Sequence, residues 1–154
     1  MIHIEQKFEV RAPRQTVWDF LSDISRAAAC VPGVEKVEPL ADDKYHLRQS
    51  MKIGPIKATF DGQVVFVEKR PPELMRLQME GKDTITGSKI RVSAADEVLD
   101  AGAGVVMVVV NGDVDVLGAL GKYGQGVADK KAAEVAGEFS AAMRAQVEQP
   151  MQAA

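Results

Sequence analysis

The feature that most constrains the fold is a change of period along the chain. From Val34 to about Val116 apolar residues recur at every second position, and from about Leu120 they recur at helical spacing. The first region divides into runs at about 34–40, 44–53, 56–69, 73–83, 86–99 and 104–116. Turn chemistry separates them: Asp42-Asp43, Gly54-Pro55, Arg70-Pro71-Pro72, Asp83 to Gly87 and Asp100 to Gly104. Links this short leave no room for crossover helices, so the strands form an antiparallel meander. Residues 2–11 also alternate, with Ile2, Ile4, Phe8 and Val10 on one side, and add a seventh strand. Pro13 fits the first position of a short helix whose stripe is Val17, Trp18, Phe20, Leu21 and Ile24. Ser25 to Cys30 predict a second short helix, stopped by Pro32-Gly33.

The final segment carries Leu120, Val127, Val135, Phe139, Met143 and Val147 on one face, with Asp129, Lys130, Glu134, Glu138 and Arg144 largely opposite. A helix of about 28 residues spans roughly 42 Å, and a strand of about 13 residues spans roughly 43 Å. Helix and sheet therefore match in length. The predicted fold class is α+β: a seven-stranded curved antiparallel sheet, two short N-terminal helices, and one long C-terminal helix across the concave face. Residues 1–148 make a single domain in this reading, and 149–154 a short flexible tail.

The alternation places Tyr45, Leu47, Met51 and Ile53, then Phe60, Val64 and Phe66, then Met75, Leu77 and Met79 on the inner face. Ile90, Val92, Val108, Val110, Val114 and Val116 complete it. Val65, Val67, Val106 and Val109 make both faces of their strands apolar, which points to cover by an oligomer contact or by the short helices. A curved sheet under a long helix leaves room between the layers. The residues expected to contact an apolar ligand there are Met51, Ile53, Phe60, Val64, Met75, Leu77, Met79, Ile90, Val108 and Val110 from the strands. Leu120, Tyr123, Val127, Val135 and Phe139 are expected from the helix and the segment that leads into it. Met51, Met75 and Met79 suit that role because flexible thioethers adapt to guests of imprecise shape.

Composition narrows the function classes. At 154 residues the chain is long enough to bury a substantial core. A net charge of −3, with Lys and Arg dispersed, gives no electrostatic reason to expect a nucleic-acid partner. The one Cys excludes an intrachain disulfide and suits a reducing compartment. Met1-Ile2-His3-Ile4-Glu5 lacks the basic and apolar regions of a signal peptide, and no apolar run approaches a transmembrane span. The expected location is cytoplasmic.

Few side chains suggest chemistry. Cys30 sits among Ala27, Ala28, Ala29 and Val31 with no nearby His, which favours an inert buried thiol over a nucleophile. His3 and His46, the two imidazoles, both fall on outward positions, so neither a metal set nor a Ser-His-Asp system assembles. No cofactor or metal is expected. Arg76, Asp113 and Asp115 also point outward, while Trp18 packs the first helix onto the sheet. Tyr123 could offer a hydroxyl to a ligand carbonyl. Gly118, Gly121, Gly124 and Gly126 do not match the dinucleotide fingerprint. They strip part of a helix face, which serves either close packing or a gate at the cavity mouth. An enzyme would need an acid or base inside the cavity, and Glu97, Glu80 and Asp83 are the available intruders near strand ends.

Several motifs carry a family resemblance. They are Val17-Trp18-Asp19-Phe20-Leu21-Ser22-Asp23, Cys30-Val31-Pro32-Gly33-Val34-Glu35, and Ile53-Gly54-Pro55-Ile56-Lys57-Ala58-Thr59-Phe60-Asp61-Gly62. Gly112-Asp113-Val114-Asp115-Val116-Leu117-Gly118 and the Gly121 to Gly126 stretch belong with them. Through these the chain resembles the CoxG family of carbon monoxide dehydrogenase subunits, within the START-like and birch-allergen-like helix-grip proteins. The resemblance implies an accessory protein of molybdenum hydroxylases, a cavity for a lipid-like molecule such as a quinone, and a role at the membrane. The expectation is a non-catalytic binding protein that assists a hydroxylase of the carbon monoxide dehydrogenase type, cytoplasmic or peripheral on the inner face of the cell membrane. The alternatives are a docking or assembly factor that carries no ligand, and a START-like cyclase or hydrolase.

Overall fold

The computed structural model describes residues 2–53, 55–119 and 125–152. The elements are β1 (Ile2–Val10), α1 (Arg14–Ser22), α2 (Ile24–Ala28), β2 (Val34–Ala41), β3 (Lys44–Ile53), β4 (Ile56–Arg70), β5 (Leu74–Asp83), β6 (Lys89–Asp100), β7 (Val106–Leu117) and α3 (Gln125–Gln152). The strands form one seven-stranded sheet in the order β1-β7-β6-β5-β4-β3-β2, with every ladder antiparallel. The meander lies where the sequence places it, and α3 is helical from Gln125; the expected start of the helical period at about Leu120 lies outside the described residues. α3 runs to Gln152, into the segment 149–154 that the sequence reading treats as a tail.

Pro13 is the N-cap of α1 rather than its first helical residue. Its backbone is extended (φ −60°, ψ 145°) and its carbonyl accepts from Val17 N at 3.1 Å. The ring fixes the turn out of β1 without removing a hydrogen bond that the helix needs. Asp23 ends α1 and starts α2, its carboxylate accepting from Arg26 N at 3.4 Å.

The solid core lies toward one end of the sheet. Val10, Val98, Val108 and Met75 from the strands, Val17 and Phe20 from α1, and Met143 from α3 are essentially inaccessible to solvent. Each such side chain contributes roughly 1.5–3 kcal/mol of burial free energy. α3 is fastened here: Val147 is buried and Arg11 N donates to Glu148 Oε2 at 2.7 Å. Gly62 on β4 allows unusually close approach to β5, because a Cβ there would fall 1.7 Å from the Glu80 carbonyl oxygen.

Of the four valines that made both strand faces look apolar, Val106 belongs to the core. Val109 lies on the convex side, buried between its ladder partners Lys7 and Glu97. Aliphatic stems of charged neighbours give such a residue cover of their own. Val67 stays 52% exposed.

Candidate functional site

Away from the packed end, sheet and α3 diverge around a cavity of about 330 Å³. Its physical origin is a run of small residues. Ala94 on β6 lies opposite Gly112 on β7, and Ala27, Ala28, Ala132 and Ala136 of the two helical walls also face the space. Large side chains at these positions would close it, as Met75 and Val108 close the adjoining core.

The wall is overwhelmingly apolar. Strand β1 contributes Ile2, Ile4 and Phe8; β3 contributes Leu47 and Met51; β4 and β5 contribute Val64, Leu77 and Met79. Ile90 and Val92 of β6 and Val110, Val114 and Val116 of β7 continue it. Leu21, Ile24, Val31 and Val34 close one side, and Val135 and Phe139 of α3 form the roof. Four polar side chains join them: Gln6, Gln49, Asp96 and Lys131. Gln49 Nε2 donates to Pro32 O at 2.9 Å, and Lys131 Nζ lies 3.9 Å from Glu134 Oε2.

Eight of the residues expected from the sequence to contact a ligand reach this cavity: Met51, Val64, Leu77, Met79, Ile90, Val110, Val135 and Phe139. Three do not. Met75 and Val108 are sealed in the core, and Phe60 packs with Ala58 in a smaller cluster beside Met51, Ile56, Ile90 and Val116. All three have inward parity, but α1 and the end of α3 fill the space above Met75 and Val108. Leu120 and Tyr123 lie outside the described residues, as do Gly121 and Gly124. Ile53 belongs to β3 and Val127 to α3, but their side chains lie outside the described ones.

The carboxylate that reaches the cavity is Asp96, not Glu97, Glu80 or Asp83. Glu80 is on the convex face, 3.9 Å from Arg91, and Glu97 has the same outward parity. Asp83 is buried in the β5–β6 turn. It accepts from Thr59 N at 2.9 Å, from Thr86 N at 2.8 Å and from Thr86 Oγ1 at 2.6 Å. Burial opposes its charge, but these donors outweigh burial and hold its pKa below the ordinary carboxylate value. Asp96 has the reverse balance: burial raises its pKa to about 7, with no cation offsetting the effect. The signal for Asp96 was present in the sequence. Ile90 and Val92 fix the inward phase of β6, and counting on by twos through Ala94 leads to Asp96.

The remaining chemical suspects are structural. Burial pushes the Cys30 thiol pKa up, only partly offset by the Arg26 charge, so the thiolate is disfavoured. His3 Nδ1 lies 3.0 Å from Asp113 and His46 Nε2 lies 2.7 Å from Asp61, both away from the cavity. Among the described residues no cluster of His, Cys, Asp or Glu has a metal-binding arrangement. Among them too, no helix is long and apolar enough to cross a membrane.

A curved sheet gripping a long helix over an apolar chamber defines the START-like helix-grip class. Three solved structures share the fold along nearly their whole length. A conserved protein from Geobacillus kaustophilus superposes with a TM-score of 0.88 at 17% identity, covering 96% of each chain. A START superfamily protein from Mycobacterium smegmatis gives 0.73 at 17% identity, covering 96% of this chain and 97% of the other. The Zhui aromatase/cyclase from Streptomyces sp. R1128 gives 0.67 at 20% identity, covering 97% and 94%. No curated protein matches the sequence. Residues 7–148 match the family model of the carbon monoxide dehydrogenase subunit CoxG, and the chain belongs to that family.

Proposed function

We propose that this protein is a non-catalytic accessory factor that holds an apolar small molecule, of quinone or lipid type, between the sheet and α3. In this reading it serves a molybdenum hydroxylase of the carbon monoxide dehydrogenase type. The observation that carries the binding role is the cavity of about 330 Å³ with almost entirely hydrocarbon walls. That volume is near the lower end of small-molecule sites, which run from roughly 300 to 1,000 Å³. It suits a ring-sized body and not a whole long-chain lipid, so a tail would project toward solvent or a membrane surface. Burying about 400 Å² of apolar ligand surface yields about 10 kcal/mol gross. Association and ordering costs reduce this to micromolar or tighter binding.

Membership of the CoxG family supports the partnership with a hydroxylase. The cyclase with the same fold shows that this architecture also hosts enzymes, but Asp96 has no second acid–base group beside it among the described residues. Organic extraction of the purified protein followed by mass spectrometry tests the carrier role, with quinone titration of the stripped protein as its complement. A co-purified apolar compound or saturable binding is expected, and the absence of both overturns the reading. Affinity capture from the native host tests the hydroxylase partnership independently.

A further inference from the structure

Asp96 and Gln6 are both cross-strand partners of Val110, one on each side of it, and all three face the cavity. The next residues on the same face of β6 and β7, Val98 and Val108, belong to the solid core, whereas Phe8 on β1 touches both the core and the cavity. The Val110–Asp96 side of the row therefore lies at the closed end of the chamber, where hydrocarbon walls meet close packing. Two cross-strand steps put the outer members about 10 Å apart at the backbone. Neither the Gln6 amide nor the Asp96 carboxyl has a side-chain hydrogen-bond partner among the described residues. Both residues are only partly enclosed by protein and border the chamber, so their polar groups are available to whatever occupies it.

We propose that Asp96, with Gln6 beside it, is the polar anchor of the binding site, and that the ligand inserts with a carbonyl or hydroxyl foremost. This rests on the cavity being a binding site, and it specifies the chemistry of the guest: an apolar body ending in one hydrogen-bonding oxygen. The charged groups around Asp96 are few. Arg14 of α1 packs over β6 and donates Nε to Val98 O at 2.9 Å, Lys131 of α3 lies beside Glu134, and the ladder partners of Asp96 on β5 and β7, Met75 and Val110, carry no charge; the one charged inward position of β5, Asp83, sits in the distant β5–β6 turn. Below about pH 7 the carboxyl keeps its proton and donates to a ligand carbonyl. Above that pH it ionises and the donor is lost.

The test compares menadione with methylnaphthalene, a pair of similar shape in which only the first carries carbonyl oxygens, on the lipid-stripped protein. At pH 6 the wild-type protein is expected to favour menadione by about tenfold, and the preference should shrink above pH 7. Asp96→Leu should abolish the preference while methylnaphthalene binding is kept or tightened. Asp96→Asn, whose amide still donates, should keep the preference and lose the pH dependence. Equal binding of both probes to wild type, or an unchanged preference in Asp96→Leu, overturns the anchor and leaves the cavity reading intact. Saturable binding of neither probe overturns both. Thermal melts of the two variants report folding separately, and both remove a buried ionisable group, so neither is expected to melt below wild type.

Discussion

Ala94 lies directly opposite Gly112 in the β6–β7 ladder, and between them they leave the middle of the sheet without a side chain longer than a methyl group. A Cβ built on Gly112 would meet Ser93 O at 3.4 Å and Ala94 Cβ at 3.7 Å, which is ordinary contact, so no backbone constraint demands glycine there. What the pair provides is space.

Filling that space should separate binding from folding. Ala94→Phe places a ring in the chamber and is expected to weaken apolar ligand binding by at least about tenfold, while stability changes by no more than about 1.5 kcal/mol. Calorimetric titration and urea denaturation measure the two effects. Unchanged affinity would show that the ligand sits elsewhere.

Asp96 sets a pH dependence of its own. Because its pKa is raised to about 7, the native state keeps a proton that the unfolded chain releases near the ordinary carboxylate value. Stability contributed by this group therefore falls as pH rises from about 4 to about 7, by about 4 kcal/mol if the chamber stays dry. Asp96→Leu should flatten that slope and leave the protein more stable than wild type at pH 8. Urea midpoints across the range decide it.

Asp83 has the opposite sign. Its pKa is depressed in the fold, so its contribution is fully present at neutral pH and is lost as the solution acidifies through and below the usual carboxylate range. Asp83→Ala leaves the Thr59 and Thr86 amides without their acceptor in a buried turn and is expected to cost about 3 kcal/mol at pH 7. The deficit should narrow in acid. A constant deficit down to the acid transition would contradict the ionised role.

Gly62 and Gly81 form a controlled pair in the β4–β5 ladder. Gly62→Ala would drive a methyl group to 1.7 Å from the Glu80 carbonyl, so strands must part, at a cost of about 3 kcal/mol or more. Gly81→Ala would meet Ile90 Cγ2 and Phe60 Cβ at 3.3 Å, which must give by a few tenths of an ångström, and the Asp61 carbonyl oxygen at an ordinary 3.7 Å. Its loss should be under half as large by urea denaturation.

Strand order, the two short helices and the long final helix were legible because each has a distinct period and distinct breakers. The inward parity of Leu77, Met79 and Val110 was legible for the same reason. Parity could not tell Met79, which faces open space, from Met75, which does not. That difference depends on what the helices place above each strand, a long-range matter that no local spacing encodes. Asp96 escapes the sequence reading for another reason. A lone charge within an apolar alternation reads as a break in its phase, which draws attention to Glu97, one residue on, where the parity is outward. The contribution of α2 to the wall is likewise hidden, since Ala27 and Ala28 read as filler until their smallness is set against the Ala94–Gly112 pair.

The fastening of α3 is uneven along its length. Ser140, Met143 and Val147 are locked into packed surroundings, whereas Val135 lines the chamber and Phe139 lines it while also touching the edge of the core. The rod is thus a cantilever, clamped near its carboxyl end. If the chamber holds a guest as proposed, Val135 and Phe139 would gain neighbours like those that strands already give Met143, and loading and the stiffness of the arm would be thermodynamically linked. A partner docking against that arm would then meet a different mechanical object in the loaded protein.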